Sequence, residues 1–260
     1  MLPPLTSHLR LVLFLAKGIF PALEADMYNR GAILQRAIIL PATLLAMLAG
    51  GCGEPEKLPP EKIIEKAVPA IQASNSFHFA LETSKPDKPP PGIFISRAEG
   101  DVVKPDKLAG DLSALFSGLP INVKVVVDGK SQYMTDPASG KWGTMPVSFN
   151  VAQFFDPSKG VSDILAGVKN LTVEGTESVG GVNCYKLKGM LPATALKSLS
   201  SEVTAQGDLD TNLWIGADDF LLRKVDIQGP LLSGEQADIM RTITLGDYNK
   251  SVKIETPVVK

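Results

Sequence analysis

The chain has 260 residues, with 26 Lys or Arg against 28 Asp or Glu and a formal net charge of −2. No basic cluster stands out, which excludes a nucleic-acid partner, because phosphate binding needs a concentrated basic face. Two cysteines and two histidines are too few for a disulfide framework or a paired zinc motif.

Two apolar runs come first, "LRLVLFLAKGIF" at 9–20 and "AIILPATLLAMLAG" at 37–50. A spanning helix needs about 20 apolar residues. The second run is shorter, follows Arg30 and Arg36, and ends in small residues and Cys52. That order reads as the n-region, h-region and cleavage site of a secretory signal. Counted from Met27 it covers 27–51, so 1–26 reads as an over-extended start. Ala49-Gly50-Gly51-Cys52 resembles a bacterial lipobox, although Leu48 stands one place further from the cysteine than usual. Cys52 is therefore the expected lipidation site and 52–59 a Gly- and Pro-rich tether. Residues 60–260 form the expected domain. The leader to residue 51 holds four basic and two acidic side chains, leaving 22 against 26 and a net charge of −4 for the mature part. Cys184, in the strand-like "GVNCYKLKG", is then the remaining thiol and reads as a small buried hydrophobe.

"PPEKIIEKAVPAIQASNS" places Ile63, Ile64, Ala67, Val68 and Ile71 on one helical face, with Pro60 suited to the first turn. Pro69 is expected to kink or end that helix. Strand patterns follow: "FHFALETS", "GIFISRAEGDVV", "KLAGDLSALF", "INVKVVVDGKSQYMT", "LTVEGTESVGGVNCYKLKGML", "TNLWIGADDFLLRKVDIQG" and "IMRTITLGDYN". Asp128-Gly129, Gly180-Gly181 and Gly216 to Asp219 read as hairpin turns. Two helical patterns interrupt the strands. One carries Val161, Ile164, Leu165 and Val168 after the aromatic cluster Phe149, Phe154 and Phe155. The other carries Leu191, Ala195, Leu196 and Leu199. About ten strands joined by short loops imply an α+β fold: a single large antiparallel meander sheet, strongly curved because neighbouring strands twist, with a few helices on its concave face. Such a half-barrel is either packed solid or leaves an apolar space between its layers, and the pattern leaves both open.

Several segments in order, "SNSFHFAL", "AEGDVVKPDKLAGDL", "YMTDPASGKW", "DPSKGVSDIL", "VGGVNCYKLKG", "LWIGADDFLLRKVDIQGPL" and "TLGDYNKSVKIETP", give the chain its resemblance to the LppX/LprAFG family of envelope lipoproteins. The resemblance implies a half-barrel related in shape to the lipoprotein carriers of the Lol system, with an apolar cavity for the acyl chains of lipids or glycolipids. It implies a lipid-anchored protein on the extracytoplasmic face of a bacterial cytoplasmic membrane, with an acylated lipid or glycolipid ligand. A membrane transporter partner, a monomeric state and no cofactor are expected.

In "INVKVVVDG", Ile121, Val123, Val125 and Val127 share one face against Asn122, Lys124 and Asp128. These four and Phe94, Leu115, Phe116, Trp142, Phe154, Phe155, Leu165 and Trp214 are the candidate cavity lining. Arg97, Lys104 and Lys107 are candidates for an anionic head group. Among enzyme signatures, neither a zinc spacing, a G-x-S-x-G elbow nor a phosphate-binding glycine loop occurs. Glu99, Asp101 and Asp106 read as a solvated edge, and His78 stands alone in a strand. A non-enzymatic carrier is the expected function. The alternative is a non-catalytic envelope sensor or assembly scaffold on the same fold, without lipid cargo.

Overall fold

The computed structural model describes residues 57–87, 93–144, 160–198, 203–232 and 234–259, within a compact unit spanning Pro55–Lys260. The leader, Cys52, most of the tether, Phe149, Phe154, Phe155 and Leu199 lie outside the described residues. Among the described residues no helix is long and apolar enough to cross a membrane.

The first described helix, α1 (Pro60–Ala73), starts with Pro in its first turn and buries Ile63, Ile64, Ala67 and Ile71. It continues through Pro69 instead of stopping there. Pro69 and Glu65, whose carbonyl loses its partner, both face solvent, so water replaces the missing bond while the buried stripe holds the helix together.

Among the described residues eleven strands follow: β1 (Ser76–Thr83), β2 (Ile93–Val103), β3 (Lys107–Phe116), β4 (Leu119–Asp128), β5 (Ser131–Thr135), β6 (Trp142–Thr144), β7 (Lys169–Val179), β8 (Val182–Pro192), β9 (Asp208–Gly216), β10 (Leu222–Gln228) and β11 (Met240–Gly246). The helix α2 (Val161–Gly167) precedes β7, and a 3-10 helix (Ala193–Ser198) follows β8. The strands form one antiparallel sheet in the order β6-β5-β4-β3-β2-β1-β11-β10-β9-β8-β7. Its outer strands β6 and β7 do not meet, so this is an open half-barrel.

The path is two meanders and not one continuous run. β1 to β6 step outward to one edge, β7 to β11 step back from the other, and β1 pairs with β11 at the centre, Phe79 opposite Leu245. Two-residue hairpins set the local register. Gly180-Gly181 joins Val179 to Val182 with φ of 57° and 82°, and Ser117-Gly118 joins Phe116 to Leu119 with φ of 50° and 83°. Both residues of a type I′ turn need that left-handed region. The β4–β5 turn is centred one residue later than the sequence predicts, on Gly129 and Lys130, because Asp128 still pairs with Ser131.

Candidate functional site

Strand residues alternate between the two faces of a sheet, so neighbouring positions along each strand sample opposite environments. Across nine strands the paired positions Val123, Leu112, Ala98, Leu81, Ile243, Val225, Leu213, Leu187 and Val173 form one uninterrupted apolar row. One residue along the same strands, Asn122, Ser113, Arg97, Glu82, Thr242, Asp226, Asn212, Lys188 and Thr172 form an uninterrupted polar row. A slip of one residue in any strand would break both rows. At this level the sheet is apolar on one face and polar on the other across nine of its eleven described strands.

The apolar face is the covered one over most of the sheet, although Val173 on the outer strand β7 is 38 % exposed. Val123, Val125, Val127, Leu187, Leu213 and Val225 belong to the same buried cluster as Ile63, Ile64, Ala67 and Ile71 of α1, Leu165 of α2 and Leu196 of the 3-10 helix. Next to the apolar row two adjacent strands, β2 and β3, carry no side chain at one paired position. Gly100 and Gly110 pair directly, and a Cβ at Gly100 would stand 2.2 Å from the Ala109 carbonyl oxygen. Glycine is required where two backbones approach this closely.

Polar pins hold the layers in register. Lys104 Nζ donates to the Ile71 carbonyl at the end of α1 (2.6 Å) and to Ser74 Oγ (3.1 Å), and burial lowers its ammonium pKa. Arg241 on β11 donates to Glu235 Oε1 (2.5 Å) and to the Gly229 carbonyl (3.1 Å). The same carboxylate accepts from the Leu231 and Leu232 amides, so the β10–β11 loop is clamped by a carboxylate only 1 % exposed. Tyr248 donates to the Leu222 carbonyl and stacks at a tilt on Phe77, 5.9 Å between centroids; burial pushes its phenol well up.

The residues singled out in the sequence fall in different places. Ile121, Val123, Val125 and Val127 share the covered face with the apolar row, and Leu165 of α2 is buried against it. Phe116 has the same facing but is 52 % exposed at the β3–β4 tip. A bulge between Ile95 and Arg97 puts Phe94, opposite Leu115, on the other face of the sheet, where Phe94 is buried. Trp214 also stands on that face, between Lys224 and Lys186, whose Nζ atoms lie 4.2 and 5.6 Å from its ring centroid. Trp142 is half-buried on β6 opposite Thr135.

The candidate head-group cations are all engaged. Arg97 pairs with Glu99 and Glu82 on the polar face, Lys107 with Asp128 at 2.8 Å, and Lys104 with α1. His78 Nδ1 lies 2.9 Å from Asp101 on the polar face. Cys184 is fully buried, and burial pushes its thiol up. Sequence reasoning missed Gly100, Gly110, Arg241 and Glu235. The glycines could have been found from their place in alternating strands; the ion pair left no local signal.

An open, two-faced half-barrel with helices on its apolar side defines the fold class. The sequence model of the LppX_LprAFG lipoproteins matches residues 59–254, and the chain belongs to that family. It is 24 % identical over 228 residues to the lipoarabinomannan carrier protein LprG of Mycobacteroides abscessus, covering 85 % of this chain and 97 % of the relative. It is 26 % identical over 204 residues to lipoprotein LprA of Mycobacterium tuberculosis, covering 75 % and 80 %. Its fold is similar to the crystal structure of LprF from Mycobacterium bovis (TM-score 0.63, 18 % identity, 79 % of this chain and 99 % of that one). It is likewise similar to that of LppX from M. tuberculosis (TM-score 0.55, 23 % identity, 75 % and 98 %).

Proposed function

We propose that this protein is a lipid carrier of the bacterial envelope, anchored through acylated Cys52 to the extracytoplasmic face of the cytoplasmic membrane. It would hold the acyl chains of a lipid or glycolipid between the apolar sheet face and the helices. The observation that carries the reading is membership of the LppX_LprAFG lipoprotein family; the nine-strand apolar row supplies the broad apolar face that acyl chains need, as a half-buried sheet does. The name of the LprG relatives as lipoarabinomannan carriers supports the same ligand class. Ile121, Val123, Val125, Val127 and Leu165 are the proposed lining.

A lipid with two or three tails carries about 30 to 50 methylenes, each costing about 0.8 kcal/mol in water. Exposure across an aqueous gap therefore costs tens of kcal/mol. A cavity that replaces the bilayer makes exchange nearly thermoneutral, and the chemistry needs neither a nucleophile nor a cofactor. Release at the far side would fall to an acceptor membrane or a membrane transporter.

Native mass spectrometry of the protein from a lipid-replete host tests this. The expected result is co-purified lipid of defined mass; protein that is empty and takes up no lipid from vesicles overturns the reading in favour of a scaffold.

A further inference from the structure

The two ends of the β1–β4 region are finished in opposite ways. At one end the paired residues Ser76, Val103, Lys107 and Asp128 close the strands. There the segment after β11 crosses them: Asn249 N donates to the Ser76 carbonyl (2.9 Å), Ser76 Oγ to the Lys250 carbonyl (2.6 Å), and Thr256 to Asp128. That end is strapped and polar.

At the other end, about 30 Å away along β2, the paired residues are Ile93, Phe116 and Leu119. They are 51 %, 52 % and 69 % exposed. By strand alternation they stand on the covered face, continuing it outward through Ile95, Ala114 and Ile121 to Ala98, Leu112 and Val123. Residues 112–123, "LSALFSGLPINV", include no charged side chain, nor do Ile93 to Ser96. Exposed apolar side chains are ordinary when scattered singly; two flanking a tight turn with a third paired beside them, continuous with a buried apolar face, mark an interaction site.

We propose that the β3–β4 hairpin tip docks into a lipid bilayer, Phe116 and Leu119 entering the interfacial region so that the apolar face of the sheet becomes continuous with the membrane interior. The occupant is a bilayer because the described residues of the tip carry no charge and their exposed apolar side chains run on without a break into the covered face, and hydrocarbon needs only apolar area. The proposal rests on the carrier reading, since a tip that opens onto the lining is the path a tail would take.

Site-specific labelling tests it. In the full chain with Cys52→Ser, and with Cys184 buried, a cysteine introduced by Leu119→Cys takes a polarity-sensitive fluorophore; Lys124→Cys, on the polar face, is the control. With vesicles of phosphatidylcholine and phosphatidylglycerol, the label at 119 is expected to brighten and to be quenched by nitroxides on the acyl chains, while the label at 124 does neither. Adding Phe116→Ser is expected to lower the inserted fraction about tenfold, the loss of one buried side chain. Equal responses at both positions overturn the proposal, as does a change produced by protein concentration alone without vesicles, which would mean self-association. A label that stays in water while lipid still co-purifies overturns the docking and leaves the carrier reading intact. An inserted tip on a protein that never carries lipid sustains the docking and overturns the carrier reading.

Discussion

Gly100 on β2 and Gly110 on β3 face each other with their backbones so close that a Cβ on Gly110 would stand 2.6 Å from the Glu99 carbonyl oxygen. The obstacle is main chain, so no rotamer change relieves it. Gly100→Ala is expected to lower stability by about 1 to 3 kcal/mol, the cost of overpacking, read as a shifted urea midpoint with an unchanged slope. Gly246→Ala, where nothing lies within 4 Å, is the matched control and should be near neutral.

Arg241→Ala removes the partner of a carboxylate that is almost fully buried. Leaving Glu235 charged and unpaired is expected to cost about 3 to 5 kcal/mol. Because Glu235 also holds the Leu231 and Leu232 amides, hydrogen exchange in the β10–β11 loop should rise along with the loss of stability. A loop that keeps its protection in the variant would refute the clamp.

Stability should fall on acidification through named carboxylates. Hydrogen bonds from Lys107 and then Thr256 hold the Asp128 pKa below its ordinary value, as the Ser139 backbone amide does for Asp136. A group depressed in the folded state contributes stability that is fully present above its unfolded pKa, about 3.9 for Asp, and is lost as pH falls through the folded value. Thermal melts should therefore be flat from pH 7 to about 5 and decline below about 4. Asp128→Asn should flatten part of that decline.

The two cysteines should behave oppositely. Cys52→Ala is expected to abolish labelling by fatty acid; persistent labelling would refute the anchor. Cys184, whose thiol burial pushes up, should not react with a disulfide reagent at pH 8 until denaturant is added.

Local features were legible because they depend on neighbours in the chain. The alternation of "INVKVVVDG" placed Val123, Val125 and Val127 on one face, and the spacing of Ile63, Ala67 and Ile71 gave the buried stripe of α1. The Gly180-Gly181 turn announced the β7–β8 hairpin. Long-range features were not legible. Nothing near Phe79 marks Leu245 as its partner, so the splice of two meanders could not be read. The bulge beside Ser96 carries no glycine or proline signal, yet it decides which face Phe94 occupies. Helix α1 passes Pro69 because burial elsewhere in the helix outweighs one lost bond.

The seam between β1 and β11 also governs how the molecule is assembled. The last strand to be made lies in the middle of the sheet, so until it arrives the chain is two separate ribbons, each with a raw edge. Pairing His78 with Gly246 closes a very long loop, a slow step for any polypeptide.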